Sequence, residues 1–175
     1  MSNFLISPIE VQHLAAIQII QQAAYPRHFW ESDAVFIAKQ QYSPDSCVLV
    51  QTTDQQTVAY VFAHPWPAAQ IPTLHQTLDL MSGTERVLYI HDLAVHPQWH
   101  GQGVASVLMQ YLENYAQQHS FKKIALVAVQ GAQAFWQRLG FVTQSNISPQ
   151  LAIKLAAYGA NAVYMMKETN QTHSL

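Results

Sequence analysis

The spacing of apolar residues along this chain predicts a mixed series of helices and strands. Runs rich in β-branched and aromatic residues predict strands over 47–51, 58–63, 87–95, 124–129, 141–143 and 162–167. Apolar residues at three- and four-residue spacing predict helices over 8–24, after Ser32, and over 103–119 and 132–139. This order of elements indicates an α/β fold with a mixed sheet.

Short local signals set the expected boundaries of these elements. The sequence Ser7-Pro8-Ile9-Glu10 matches a capping box with proline at the first helical position, so a helix is expected to begin there. Gly140 is a natural end for the helix before it. His64-Pro65-Trp66-Pro67 is expected to end the preceding strand and to open a long connection with a short helix over about 74–81.

Composition narrows the classes of protein that remain. A chain of 175 residues with 50% hydrophobic residues predicts one domain over 1–175, with a polar tail at about 168–175. No apolar run approaches the ~20 residues of a membrane span, and the N-terminus lacks a signal-peptide pattern, so we expect a cytoplasmic protein without a membrane partner. Cys47 lies in an apolar run and is expected to be a buried small hydrophobic residue.

Charge is unusually sparse. Only 10% of the residues are Asp, Glu, Lys or Arg, and the net charge is −2 without any basic block. Nucleic-acid binding needs clustered cations, so that class is set aside. A surface covered largely by glutamine, with low net charge, permits a homodimer.

The most informative segment runs from His96 to Ser106, between a predicted strand and a predicted helix. Gly101 and Gly103 let successive backbone N–H groups turn toward one point, and the helix terminus adds partial positive charge there. Such a loop suits a pyrophosphate. It is not a Walker A loop, since no Gly-Lys-Ser/Thr follows, and it lacks the third glycine of the dinucleotide fingerprint. A tight turn that binds nothing is the alternative.

Two segments resemble a known family. The stretch 89–105, with His100-Gly101-Gln102-Gly103-Val104-Ala105, looks like motif A of the GNAT superfamily of acetyl-CoA-dependent N-acetyltransferases. The stretch 132–141, ending in Leu-Gly-Phe, is similar to its motif B. The resemblance covers about residues 5–167. It implies a mixed, mostly antiparallel central sheet flanked by helices, which splays apart after the motif A strand.

The resemblance also implies a site for acetyl-CoA as co-substrate. The strand residues Leu93, Ala94 and Val95 would pair with the pantetheine arm, and an N–H group near Leu93 would stabilise the oxyanion. The helix of motif B would add Phe135 and Trp136. The pyrophosphate would be held by His100, Gly101, Gln102, Gly103, Val104, Ala105 and Ser106.

Three positions depart from the family pattern. His100 replaces the usual Arg or Gln, although backbone donors should still hold the phosphates. Trp136 stands where many members carry a tyrosine that protonates the departing thiolate, and an indole N–H does not titrate. Val129 stands where many members have an asparagine. The catalytic acid therefore cannot be carried over.

The base that removes a proton from the amine is expected on the motif A strand. Strand alternation places His91 on the same face as Tyr89, where other members carry a carboxylate base, so His91 is the first candidate and Asp92 the second. Tyr158 and Tyr164 are weaker candidates for the acid. The spacing of His91, Asp92 and the nearby histidines does not fit a zinc-ligand pattern, so no metal is expected.

The acceptor pocket is the least defined part of this interpretation. In the superfamily the first two helices and their connection line it, which here points to Tyr25, Trp30 and Glu31, with Trp66 from the long connection. The predicted activity is transfer of an acetyl group to a primary amine, of a small molecule or a peptide, by direct attack. A non-catalytic acyl-CoA-binding or regulatory module on the same fold is the alternative, and the sequence does not name the acceptor.

Overall fold

The computed structural model describes residues 4–78 and 85–170. Its strands are β1 (Leu5–Pro8), β2 (Cys47–Gln51), β3 (Thr57–Pro67), β4 (Arg86–Val95), β5 (Lys123–Ala128), β6 (Val142–Thr143) and β7 (Val163–Glu168). Its α-helices are α1 (Leu14–Ala24), α2 (Asp33–Tyr42), α3 (Val104–Gln118), α4 (Gln133–Arg138) and α5 (Pro149–Ala156).

The strands within the described residues form one sheet in the order β1-β2-β3-β4-β5-β7-β6. Antiparallel pairs dominate, whereas β4 and β5 run parallel. The β4–β5 register covers only Leu88–Ile90 against Ile124–Leu126, while β4 itself continues to Val95. The α/β class and the mixed, mostly antiparallel sheet flanked by helices are therefore confirmed.

The chain groups into two compact units, which we describe separately. The first contains the chain up to His64, His75–Leu78 and Asp92–Leu112. Helices α1 and α2 pack on β2 and β3 in this unit. The buried core between them consists of Ile9, Leu14, Ile17, Ile20, Phe36, Cys47, Leu49, Tyr60, Phe62 and Ala94. Burial raises the pKa of the Cys47 thiol to about 12, which confirms its role as a small core residue.

The second unit contains Pro65–Leu74, the part of β4 up to His91 and the chain from Glu113. Its buried side chains include Leu88, Tyr89, Ile124, Leu126, Trp136, Phe141, Tyr164 and Met165. Gly140 follows α4 with a φ of +91°, and the N–H of Phe141 returns to the carbonyl of Trp136, so the predicted helix end is confirmed.

The predicted start of the first helix is wrong. Ser7 and Pro8 belong to β1, an edge strand that pairs with β2, and α1 begins only at Leu14 after one 3₁₀ turn at Val11–His13. Proline lacks an N–H, which an edge strand tolerates at its end. The Glu10 N–H donates to His13 Nδ1 at 3.0 Å and so stabilises the turn that precedes the helix.

Two further expectations about the middle and the end of the chain need correction. Strand β3 does not break at His64 but continues to Pro67. No helix forms over residues 74–78, and the rest of the helix predicted over 74–81 lies outside the described residues. The segment before β7 contains α5, which was not predicted. No helix among residues 4–78 and 85–170 is long and apolar enough to cross a membrane.

Candidate active site

A loop with two left-handed glycines joins β4 to α3. After a 3₁₀ turn at Pro97–Trp99, Gly101 has a φ of +73° and Gly103 a φ of +81°. Other residues rarely adopt this conformation, which explains glycine at both positions. A Cβ built on either glycine would meet no atom within 4 Å. The backbone at these two glycines can therefore be approached closely by a ligand. We call residues 100–106 the glycine loop.

The glycine loop offers a series of uncommitted hydrogen-bond donors. None of the backbone N–H groups from Gly101 to Ser106 donates a close, well-aligned hydrogen bond to another backbone group within the part of the chain that the structure describes. The first of the regular bonds of α3 runs from Val107 to the Gly103 carbonyl at 3.1 Å. Orphan N–H groups and the positive end of a 15-residue helix together favour a bound anion.

The side chain of His100 has a local structural task. Its Nε2 lies 2.9 Å from the carbonyl oxygen of Val95, so this nitrogen donates to the last residue of β4. The imidazole thereby ties the glycine loop to the end of the strand. Its role as a phosphate ligand stays a prediction.

We expect His100→Ala to weaken CoA binding by about 1 kcal/mol or less, because one hydrogen bond is lost while the backbone donors remain. Isothermal titration calorimetry with CoA measures this. His119→Ala is the matched control, since His119 Nδ1 also contacts a carbonyl, that of Tyr115, at 2.9 Å. A loss of a hundredfold or more would instead identify the imidazole as a direct phosphate ligand.

Beyond the part of β4 that pairs with β5, a tyrosine hydroxyl contacts the strand backbone. Tyr25 follows α1, and its hydroxyl donates to the carbonyl oxygen of Leu93 at 2.6 Å. The N–H of His96 bonds to Val58 in β3, so the backbone groups of Leu93 and Val95 point away from β3. Their two carbonyls are thus engaged by Tyr25 and His100, and their N–H groups face the same side.

Asp92 lies beside this capped backbone and is held by a second tyrosine. The Tyr60 hydroxyl donates to Asp92 Oδ2 at 2.7 Å, and the Tyr25 hydroxyl also lies beside the carboxylate. Burial raises the pKa of Asp92 above its ordinary value, against the opposing effects of the Tyr60 hydrogen bond and of Lys39. Asp92 nevertheless remains partly exposed.

Glu31 is already engaged in an ion pair. Its Oε1 lies 3.2 Å from the buried Lys39 Nζ, and its Oε2 lies 3.2 Å from His75 Nδ1. The other ring nitrogen of His75 lies 2.8 Å from the carbonyl of His28. Burial lowers the pKa of Lys39, while Glu31 counteracts this shift. An acceptor ammonium at Glu31 would have to compete with Lys39.

The two remaining candidates for the acceptor pocket are Trp30 and Trp66, and they lie in different units. The Trp30 indole N–H donates to the Tyr25 carbonyl at 2.7 Å, which fixes the segment that carries Tyr25. Trp66 lies near the end of β3 in the second unit and is buried. Contact of either indole with an acceptor stays a prediction.

The acid candidates in the second unit hold the connection after β3. The Tyr158 hydroxyl donates to the Pro72 carbonyl at 2.6 Å, and the Tyr164 hydroxyl accepts from the Ala69 N–H at 3.3 Å. Burial raises the pKa of Tyr164, which makes it a poorer acid at neutral pH. These contacts give both tyrosines a positioning task. A catalytic role stays untested.

His91 and the motif B aromatics also lie in the second unit. The His91 ring packs edge-on against Tyr89 with centroids 6.2 Å apart, and the side chain is partly exposed. Trp136 packs between Phe135 and Phe141, with ring centroids 5.0 and 5.4 Å away. As the sequence predicted, His91 lies in a strand (β4), and Phe135 and Trp136 lie in a helix (α4). Among the described residues no group of three or more His, Cys, Asp or Glu side chains could hold a metal ion.

A sequence profile decides the family. The profile of the acetyltransferase (GNAT) family matches residues 14–141, which include β4, the glycine loop, α3 and α4. The chain belongs to the GNAT family. This membership confirms the resemblance found in the two motifs. Among curated proteins no sequence matches.

Solved structures share the fold of this family member at low sequence identity. Ard1 from Thermoplasma volcanium has a TM-score of 0.70 at 16% identity, covering 95% of this chain and 97% of its own. The ribosomal-protein-S18-alanine N-acetyltransferase from Escherichia coli has a TM-score of 0.64 at 16% identity over 99% of both chains. Arabidopsis thaliana Naa50, solved with the bisubstrate analogue CoA-Ac-MVNAL, has a TM-score of 0.66 at 15% identity over 94% and 98%.

Sequence reasoning missed three side chains that shape the site. Tyr60, Lys39 and His75 contact Asp92 or Glu31 from β3, α2 and the long connection. Of these three residues, only Lys39 could have been noticed in the sequence. A lysine on an apolar helix face is expected to have a buried acidic partner. The other two are ordinary residues of their elements.

Proposed function

We propose that this GNAT-family protein transfers the acetyl group of acetyl-CoA to a primary amine. The observation that carries the proposal is the glycine loop, in which two left-handed glycines and N–H groups without close backbone acceptors lie together at the start of α3. Such an arrangement suits an anionic ligand, and the pyrophosphate of CoA fits it.

The residues present suit the cofactor. Gly101 and Gly103 leave open the volume that a Cβ would fill, so the backbone of the loop can approach the phosphates closely. The N–H groups of the first turn of α3 would complete their hydrogen bonds. The N–H group of Val95, on the side of β4 that faces away from β3, would bind the pantetheine arm.

Acetyl-CoA supplies a thioester carbonyl that is open to attack by an amine. On the protein side, catalysis then depends on positioning and on a donor for the negative charge that develops on the carbonyl oxygen. The Leu93 N–H would supply that donor. The Tyr25 hydroxyl, bonded to the Leu93 carbonyl, fixes the orientation of the strand at this residue. Trp136 cannot act as an acid, so the departing thiolate would take its proton from solvent.

Relatives in the same fold support an amine as acceptor. The Escherichia coli neighbour acetylates the alanine of a ribosomal protein by its name, and Naa50 was solved with an analogue that joins CoA to a peptide. An exposed amino group of a peptide or a small molecule is the corresponding acceptor here.

The test is turnover of acetyl-CoA by the purified protein with a panel of amines. Phenethylamine, spermidine and a short peptide with a free N-terminus are the acceptors, thiol release gives the rate, and mass spectrometry identifies the acetylated product. We expect thiol release that depends on the amine. Tight CoA binding without acetylation of any acceptor would favour the alternative, a non-catalytic acyl-CoA-binding module.

A further inference from the structure

The first unit contains more negative than positive charge around Asp92. Glu31 and Asp92 are carboxylates, and Lys39 is the one ammonium group among the side chains that act on Asp92. Lys39 Nζ is paired with Glu31 at 3.2 Å, and within the described residues Asp92 has no ion-pair partner. His75 also contacts Glu31 but is charged only when protonated, so with a neutral imidazole the group is one positive charge short.

Asp92 is also fixed beside the backbone that the proposed function uses. The Tyr60 hydroxyl orients Oδ2 at 2.7 Å, and Asp92 directly precedes Leu93. Tyr25 contacts the Leu93 carbonyl and lies beside the Asp92 carboxylate, and it begins the segment between α1 and α2 that was predicted to line the acceptor pocket. A carboxylate, the strand backbone and a residue predicted to line the acceptor pocket therefore meet at one place in the first unit.

We propose that Asp92 binds the acceptor as its ammonium ion and removes a proton from it. The acceptor class is then a primary aliphatic amine that is protonated in solution and carries no carboxylate on the neighbouring carbon, because a second negative charge would restore the excess around Glu31 and Asp92. This inference rests on the proposed acetyltransferase function and assigns the base to Asp92 in place of His91.

The proton and electron balance of the step is complete. The ammonium gives one proton to the Asp92 carboxylate, and the freed lone pair forms a bond to the acetyl carbonyl carbon. The carbon–sulfur bond breaks, and the thiolate takes a proton from water. The new amide nitrogen loses its second proton to solvent, and Asp92 returns its proton to solvent, so the net reaction releases one proton.

The surroundings of Asp92 suit this task. Its pKa is raised by burial and by Glu31, and it is lowered by Tyr60 from β3, Lys39 from α2 and Tyr25 after α1. A carboxylate with a raised pKa is a stronger base than an exposed one. Asp92 is partly exposed as a residue, so it is not sealed within the core.

The thermal stability of an Asp92 variant distinguishes a catalytic role of Asp92 from a structural one. A carboxyl whose pKa is raised on folding stabilises the protein only in its protonated form, and this contribution is lost as the pH rises through the raised pKa. At a pH above the raised pKa, Asp92→Asn therefore removes an unfavourable charge and keeps an acceptor for Tyr60. We expect its Tm relative to the wild type to rise with increasing pH, whereas loss of a structural ion pair would lower it.

Activity must change in the opposite direction. With phenethylamine, we expect Asp92→Asn to lower kcat/KM by about 10²-fold or more, the usual scale for loss of a general base, with the Kd for CoA unchanged within twofold. Asp45→Asn, the same change at an exposed position after α2, is the control and should keep the wild-type rate. Equal rates in Asp92→Asn and the control would overturn the role of Asp92.

A second variant tests the role of Asp92 through the pH dependence of kcat/KM. This test can be made even if Asp92→Asn fails to fold. Tyr60→Phe keeps the buried ring and removes the hydrogen bond that lowers the pKa of Asp92. The acid limb of the kcat/KM profile should therefore move to higher pH, and in Asp92→Asn it should disappear. An acid limb unchanged in Tyr60→Phe would contradict the assignment.

The acceptor class is tested with phenethylamine and phenylalanine, which differ by the carboxylate beside the amine. We expect phenethylamine to have a kcat/KM at least about tenfold higher, because the added charge is repelled at short range. An equal or higher value for phenylalanine would overturn the acceptor class. If the wild type acetylates none of the amines, the proposed function fails as well, whereas amine-dependent turnover that is insensitive to Asp92 defeats this inference alone.

Discussion

Gly103→Val is expected to abolish measurable CoA binding, with a rise in Kd of about 100-fold or more, while the protein stays folded. The φ of +81° at Gly103 and the open space beyond its Cα put any side chain where the phosphates would approach the backbone. Valine would also be strained in this conformation, so the loop would move and withdraw its N–H groups. Loss of two charge-assisted contacts at about 1.5 kcal/mol each accounts for the expected factor.

The control for this prediction isolates backbone strain from ligand contact. Gly159 follows α5, has a φ of +117°, and likewise has no atom within 4 Å of a built Cβ. Gly159→Val should therefore bear a similar local strain and bind CoA as the wild type does. Calorimetry with CoA gives both affinities, and circular dichroism shows that both variants fold. If folded Gly103→Val binds CoA normally, the phosphates lie elsewhere.

The glycine loop could be predicted from the sequence because its determinants are local. Gly101, Gly103 and the apolar spacing after them lie within a few residues of one another, and each has a direct conformational meaning. The same holds for α2, where the Ser32 hydroxyl accepts from the Val35 N–H as a cap should. Helix α5 carried an equally local signal, Ser148 followed by Pro149, and could have been predicted.

Local signals also misled at two places. Ser7-Pro8-Ile9-Glu10 has the residues of a capping box, but the pairing of β1 with β2 outweighs that preference. Pro65 and Pro67 suggest a break in β3, yet they are two residues apart, so their missing N–H groups fall on the same edge of the strand. In both cases the sheet, which no local window reveals, decided the outcome.

The surroundings of Asp92 were beyond the reach of the sequence for a different reason. Tyr60 precedes Asp92 by 32 residues, and Tyr25 precedes Leu93 by 68. No spacing rule connects positions so far apart, because the packing of α1 and the pairing of β3 bring them together. Strand alternation favoured His91, because it lies on the face of the strand where other family members carry the base. Alternation identifies a face of the sheet, but it does not reveal which charged groups lie next to that face.

Lys39→Met is expected to lower the free energy of unfolding by about 3–5 kcal/mol, because it leaves the buried Glu31 carboxylate without its cation. Lys39 is fully buried and Glu31 is nearly so, with side-chain exposures of 0% and 4%. A chain of this size should lose roughly 6–20 °C in Tm. His75 still lies 3.2 Å from Glu31 Oε2, but it is charged only when protonated. Thermal unfolding at pH 7 measures the loss.

Two further variants show whether the loss comes from the unpaired charge. The double variant Lys39→Met/Glu31→Gln removes both charges and should recover most of the stability, since an uncharged buried pair avoids the desolvation cost. Lys123→Met breaks an exposed pair with Glu85 at 3.8 Å and should cost about 1 kcal/mol or less. If the double variant were as unstable as Lys39→Met, the lysine would contribute through the packing of its alkyl chain. The pair with Glu31 would then not be what holds α2 against the segment that carries Tyr25.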